Sequence, residues 1–347
     1  MFRKLSMSAV PAAVLVATAA VTLTPAPAPA SAASASASAS ASASASASAS
    51  STSTESAPLS RARIAAHFDL AKGQTPENIA LAPDGTAYVT FAQGRQIAEV
   101  SPGGRTRILA TLPLPSDGGV HTPALGFPLT VGIVRASDGT LYFLYATGTA
   151  DLTGVWRLRP GGEPRRIAAL PADGLPNGLA LDARTRTLYV TDSVLGTVRR
   201  VRTTGGTPDV WSAAPELAPA GFLGANGLKI HNGAVWVGNL DRGTVVRIPI
   251  LRDGRAGTVT TEATGLPGID DFAFTGHGER LLAALNGSSE VALVQPDGSH
   301  SVVLDPADGL QNPTSIALRG DKVYVLSAAY LTAKDPNLLV ARLNDTP

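Results

Sequence analysis

The chain has 347 residues, with 28 basic side chains, 27 acidic ones and a formal net charge of +1. That balance argues against a nucleic-acid binder working through bulk positive charge. There is no cysteine, so disulfides, thiolate metal sites and cysteine nucleophiles are excluded, and 35 glycines and 26 prolines favour turns and short strands over long helices.

The N-terminus reads Met1-Phe2-Arg3-Lys4, then an apolar run from Ala9 to Leu23, then small residues at Ala28, Ala30 and Ala32. This is the three-part pattern of a secretory signal, assigned to residues 1–32. The apolar run is shorter than the ~20 residues of a membrane span and is broken by Pro11. The expectation is therefore a secreted protein with no membrane attachment after cleavage. From Ser34 to Ser50 serine and alanine alternate, and this stretch has almost nothing to bury. Residues 33–58 read as a flexible linker, and residues 59–347 as the folded domain.

Within that domain one unit recurs: a short apolar strand, a polar turn, a second strand carrying an aromatic near its start in most units, then two more strands. The first strands include Asn78-Ile79-Ala80-Leu81, Gly178-Leu179-Ala180-Leu181, Asp271-Phe272-Ala273-Phe274 and Ser315-Ile316-Ala317-Leu318. Second strands such as Ala87-Tyr88-Val89, Leu188-Tyr189-Val190 and Val323-Tyr324-Val325 follow eight to ten residues later. The residues preceding the six first strands are Glu77, Val131, Asn177, Asn226, Asp270 and Thr314, spaced 44 to 54 residues apart. Four strands per unit at that period predict an all-β fold, a six-bladed β-propeller, because one small sheet cannot bury both of its faces alone. The last unit has only one further strand, around Leu338–Arg342. The missing outer strand is available at Arg63–Phe68, so an N-terminal strand is expected to close the last blade.

In such a ring the first strand of each blade lines the central channel, and the residue preceding it lies at one mouth. Those positions carry Glu77, Asn177, Asn226 and Asp270, with Asp271 beside the last. Two carboxylates and two amides converging on an axis suit a hard cation taking 6–8 oxygens, Ca²⁺ rather than Zn²⁺. Pro176-Asn177-Gly178 and Ala225-Asn226-Gly227 also read as ordinary turns. Turn preference accounts for the asparagines but not for Glu77 in the same register.

Residues 75–81, 176–193 and 313–328 resemble the gluconolactonase/senescence-marker-protein family, which is itself similar to the paraoxonases, diisopropyl-fluorophosphatase and the strictosidine-synthase-like proteins. The resemblance covers residues ~60–345. It implies a six-bladed propeller with a catalytic divalent cation on the axis and hydrolysis of lactones or phosphotriesters. Family ligands in the first, third and fourth blades fall on Glu77, Asn177 and Asn226. The fourth-blade acid is an amide here, and an acid appears one blade later at Asp270. The second blade carries Leu129-Thr130-Val131-Gly132 where the family has a sugar-contacting segment, which points to a more apolar substrate.

His67, His231, His277 and His300 read as surface or core residues. His121 lies in a long connection between blades one and two, on the channel-mouth side, where a lid or general base would be carried. Connections after the second strands place Asp192, Asn239, Asp241, Asn286 and Ser327 near the same rim. No G-x-S-x-G occurs. The expected protein is a monomeric, calcium-dependent hydrolase of a small lactone or ester, with metal ligands Glu77, Asn177, Asn226 and Asp270. Water would be activated by Asp270, Asp271 or His121. The alternatives are a non-catalytic binding propeller and a strictosidine-synthase-like or lyase relative.

Overall fold

The computed structural model describes residues 58–118 and 121–344; the signal segment 1–32 and the linker as far as residue 57 lie outside the described residues. The chain enters through β1 (Leu59–His67) and then builds four-stranded antiparallel sheets in order. Blade one is β2 (Pro76–Leu81), β3 (Ala87–Phe91), β4 (Gln96–Val100) and β5 (Thr106–Thr111). Blade two is β6 (Leu129–Arg135), β7 (Leu141–Ala146), β8 (Gly154–Leu158) and β9 (Arg165–Ala169). Blade three is β10 (Pro176–Asp182), β11 (Thr187–Asp192), β12 (Thr197–Arg202) and β13 (Asp209–Ser212). Blade four is β14 (Ala225–His231), β15 (Ala234–Asn239), β16 (Thr244–Pro249) and β17 (Thr260–Ala263). Blade five is β18 (Ile269–Phe274), β19 (Leu281–Leu285), β20 (Glu290–Val294) and β21 (His300–Leu304). Blade six is β22 (Pro313–Arg319), β23 (Lys322–Ser327) and β24 (Asn337–Leu343), with β1 as its outer strand.

The six-bladed propeller expected from the repeats is the fold. β1 closes it, pairing antiparallel to β24 with Arg63 opposite Val340 and His67 opposite Asn337. The closing strand starts at Leu59, four residues before the expected Arg63, and a bulge lies between Ser60 and Arg63. His300, read from the sequence as a surface or core residue, is exposed and opens the outer strand β21.

Strand β7 explains why the ring holds together. Its side chains alternate between two faces, and both faces are covered. Tyr142, Leu144 and Ala146 enter a cluster with Leu175, Leu179 and Val190 of the blade-three side. Leu141, Phe143 and Tyr145 enter another with Ile97 and Leu112 of the blade-one side. Every blade repeats this, so one apolar cluster fills each of the six blade–blade seams. A Leu or Val fully buried in such a seam contributes roughly 1.5–3 kcal/mol.

The inner strands β2, β6, β10, β14, β18 and β22 stand side by side around the channel. Each carries a register shift at its mouth end, as between Thr130 and Ile133, Pro176 and Leu179, or Ile269 and Phe272. A bulge inserts a residue and re-aims side chains. Here it breaks the in–out alternation where the candidate ligands sit.

Candidate metal centre

Glycines set the level of the site. A Cβ on Gly132 would lie 2.5 Å from the Asn177 carbonyl oxygen, and one on Gly227 would lie 2.6 Å from the Asp271 Cα. Gly178 meets the Asn226 carbonyl in the same way. The inner strands β6, β10 and β14 therefore each press a glycine against the mouth end of the next strand, which puts Asn177, Asn226 and Asp270 at a common height. All three are buried, as is Glu77.

Asp270 is held on both oxygens. Asn226 donates its Nδ2 to Oδ1 at 3.0 Å, and Asn286 donates its Nδ2 to Oδ2 at 3.1 Å. Glu77 accepts the phenol of Tyr330 on Oε2 at 2.6 Å. Burial is the main force on both carboxyls. It pushes Glu77 up to about 7, against the Tyr330 hydrogen bond, with the Asp271 charge adding to the rise. It raises Asp270 well above the ordinary carboxylate range, and the Glu77 charge is the next cause. The Tyr330 phenol is likewise raised well above 10, by burial first and then by Glu77.

These residues suit an oxygen-seeking cation. The Asn226 Oδ1 is buried with no hydrogen-bond partner, which is costly unless something else meets it. Its amide nitrogen is already committed to Asp270, so the oxygen is the end left over. Among the described residues no group of three or more His, Asp or Glu side chains gathers for a metal. The donors here are two carboxylates supplemented by amides, a hard set that favours calcium over zinc. Asn226 is hydrogen-bonded to Asp270, and the Glu77 charge acts on Asp270. Asn177 joins them through its register position.

The remaining candidates lie elsewhere. Asp271 faces one level deeper, accepting Lys229 on both oxygens at 2.6 and 2.7 Å, Ser315 at 2.6 Å and Asn78 at 3.3 Å. Beyond that level the channel opens into a cavity of about 480 Å³ walled by Ile79, Ile133, Leu179, Ile230 and Phe274. His121 is exposed in the connection between blades one and two and pairs with Asp117 at 2.8 Å. Its backbone packs on Gly148, in the β7–β8 loop, which lies on the same face as the mouth ends of the inner strands.

Asp192 caps a turn: its Oδ1 accepts the amides of Leu175, Val194 and Leu195. Asp241 does the same for Ala220, Phe222 and Leu223. Asn239 holds the Glu216 and Ala218 carbonyls, and the Ser327 hydroxyl accepts the Gln311 amide. Of the rim residues read from the sequence, Asn286 is the one hydrogen-bonded to a candidate ligand.

Tyr330 was missed, because it sits in a connection without periodicity. Like Leu125, Phe127, Val194 and Leu240, it is a part-buried apolar side chain packed on the seam of blades two and three. They come from the blade-one-to-two connection and from blades three, four and six. Their loops all lie on the mouth face, where the Tyr330 phenol reaches Glu77.

A family profile described as strictosidine synthase-like, N-terminal, matches residues 63–96. Among curated proteins no match is found. Solved structures share the fold at low identity. A calcium-binding protein, regucalcin, from Agrobacterium tumefaciens is 16% identical, covering 82% of this chain and 93% of its own at a TM-score of 0.60. A gluconolactonase from Xanthomonas campestris is 15% identical, covering 83% and 97% at 0.56. Virginiamycin B lyase from Staphylococcus aureus is 13% identical, covering 82% and 99% at 0.54. These matches agree with the family resemblance read from residues 75–81, 176–193 and 313–328.

Proposed function

We propose that this chain is a secreted, calcium-dependent hydrolase acting on a lactone or related ester that carries an apolar substituent. The observation that carries the reading is the buried, unpartnered Oδ1 of Asn226, whose amide nitrogen is bonded to the buried Asp270 carboxyl. Glu77, Asn177, Asn226 and Asp270 would hold the ion. When bound, calcium supplies positive charge for carbonyl polarisation and for the oxyanion that follows. The names of the regucalcin and gluconolactonase structures support this class, and the signal pattern of residues 1–32 supports export.

The residues of the chain divide the remaining work. Leu125, Phe127, Val194 and Leu240 receive the hydrocarbon part of the substrate and keep bulk water from it. Asp270 is the proton acceptor: water adds to the carbonyl carbon, its proton passes to the carboxylate, and the ring C–O bond breaks as the alkoxide takes a proton back. Asp271 is given no part in this, since Lys229, Ser315 and Asn78 occupy it. His121, paired with Asp117 over the same face, is the alternative base.

A second reading, a binding propeller or a lyase-like relative, is favoured by the lyase among the similar structures. Hydrolysis of a panel of alkyl- and aryl-substituted lactones and esters separates the two. Turnover that is lost on chelation, restored by calcium and absent in Asp270→Asn supports the hydrolase. No turnover by a calcium-saturated chain, with tight retention of an intact panel member, would establish the binding propeller instead.

A further inference from the structure

We propose that Asn312 is a positioning residue for the axial site, acting on both of its carboxylates at once through Tyr330 and Asn286. The proposal rests on the calcium reading of Glu77 and Asp270. Asn312 is buried and stands in the left-handed region at φ 56°, a conformation asparagine tolerates better than most residues. Every polar group it has is used. Its Oδ1 accepts the amides of Leu331 and Thr332 at 2.9 and 3.0 Å. Its Nδ2 donates to the Asn286 carbonyl at 2.9 Å, and its own amide donates to the Ser289 hydroxyl at 3.0 Å. Its carbonyl accepts the Ala328 amide at 3.0 Å.

One side of this arrangement fixes Tyr330. The connection after β23 turns through Ala329 at φ 56° and Ala333 at φ 51°, a left-handed backbone that alanine adopts only when held there. The hold comes from Asn312, on the two residues that follow Tyr330, and from the Gln311 carbonyl, which accepts the Ala329 amide at 2.7 Å. So held, the phenol reaches Glu77 Oε2 and leaves Oε1 as the oxygen for the axis. The other side fixes Asn286, whose backbone bonds to Asn312 and whose side chain bonds to Asp270.

The logic is one of spacing. Tyr330 restrains Glu77 through Oε2 and Asn286 restrains Asp270 through Oδ2, and Asn312 bonds to the backbone beside both partners. A rigid second layer keeps them at the spacing a cation needs, and loss of such a layer typically weakens metal affinity by about 10- to 100-fold.

The test uses the full chain and calcium calorimetry, with terbium as a luminescent probe of bound water. Tyr330→Phe removes one hydroxyl, and Asn312→Gly removes the side chain while permitting the backbone angle. Each is expected to weaken calcium binding by about 10- to 100-fold. The double variant should lose less than the product of the two, because they share a route to Glu77. Terbium decay in water and deuterium oxide should report an additional coordinated water in Tyr330→Phe, from a carboxylate that no longer stays in place. Wild-type affinity and hydration in Tyr330→Phe would overturn the proposal, as would Asn312→Gly melting earlier in chelator while binding calcium unchanged. A wild type that binds neither ion would overturn both this proposal and the calcium reading, whereas tight binding by all variants would overturn this one alone.

Discussion

Asp270 and Asp271 are consecutive on β18 yet serve two separate levels of the channel, the first bonded to Asn226 and Asn286, the second to Lys229, Ser315 and Asn78. The bulge between Ile269 and Phe272 is what allows neighbours in sequence both to face inward. The upper level is rich in oxygen and short of positive charge. The lower level brings its own cation. On the proposed calcium reading, that difference is why the ion is expected at the upper level.

The lower level yields a prediction about stability. Lys229→Met leaves the Asp271 carboxylate buried without its cation, and breaking a buried pair costs about 3–5 kcal/mol. The Lys229 side chain is 27% exposed, so the lower end of that range is expected. Adding Asp271→Asn should recover most of the loss, because the buried charge is then gone and the Ser315 and Asn78 contacts can persist. Denaturant midpoints for the two single variants and the double variant measure this. An additive double variant would show that the pair is not coupled.

The upper level predicts a pH dependence whose sign differs from that of most carboxylates. Glu77 is raised from 4.5 to about 7 in the folded chain, so the fold retains a proton that the unfolded chain releases. Asp270 is raised in the same direction. In chelator the stabilisation should be full below about pH 4.5 and be lost as pH rises through 7. Glu77→Gln should flatten that slope. Melting curves across this range decide it, and a chelated wild type that gains stability on going from acid to neutral pH contradicts the assignment.

Much of this was legible in the sequence. The marker residues Glu77, Asn177, Asn226 and Asp270 were found because blade repeats put them in one register, and repeat period is a property of sequence. Ring closure was legible for the same reason: the last repeat lacked a strand and the N-terminus offered one. What stayed hidden has no period. Tyr330 reaches Glu77 across 253 residues, and Asn312 acts through the backbone of a loop. Asp271 looked like a candidate base because it adjoins Asp270, and only the fold shows Lys229 beneath it. Asp192 and Asp241 looked like rim residues, and the fold turns both toward backbone amides.

The glycines between inner strands should be intolerant. Alanine at Gly227 would bring a Cβ within 2.5 Å of Asp271 Oδ1 and 2.6 Å of its Cα, so a strand and not a flexible tip must move. Overpacking of this kind costs about 1–3 kcal/mol, and the displaced strand carries Asp270. Gly221→Ala meets nothing within 4 Å and serves as the neutral comparison. Gly227→Ala should lower both the melting temperature and the calcium affinity, and a variant indistinguishable from Gly221→Ala in both would argue against the close strand packing.

The sharpest prediction is a reversal in rank between two proteins that differ by one oxygen. Above pH 7 and without metal, wild type must keep the Glu77 charge in a buried place, and Glu77→Gln need not. The variant should then be the more stable of the two. Calcium at about 100-fold over its dissociation constant adds ~2.7 kcal/mol to a chain that binds it. Wild type should gain that amount and the variant little of it, because glutamine offers the ion a neutral oxygen where a carboxylate stood. The order of the melting temperatures therefore inverts between chelator and calcium. A wild type that is the more stable in both conditions would mean that the buried carboxyls are satisfied without an ion, and the unpartnered Asn226 oxygen would need another explanation.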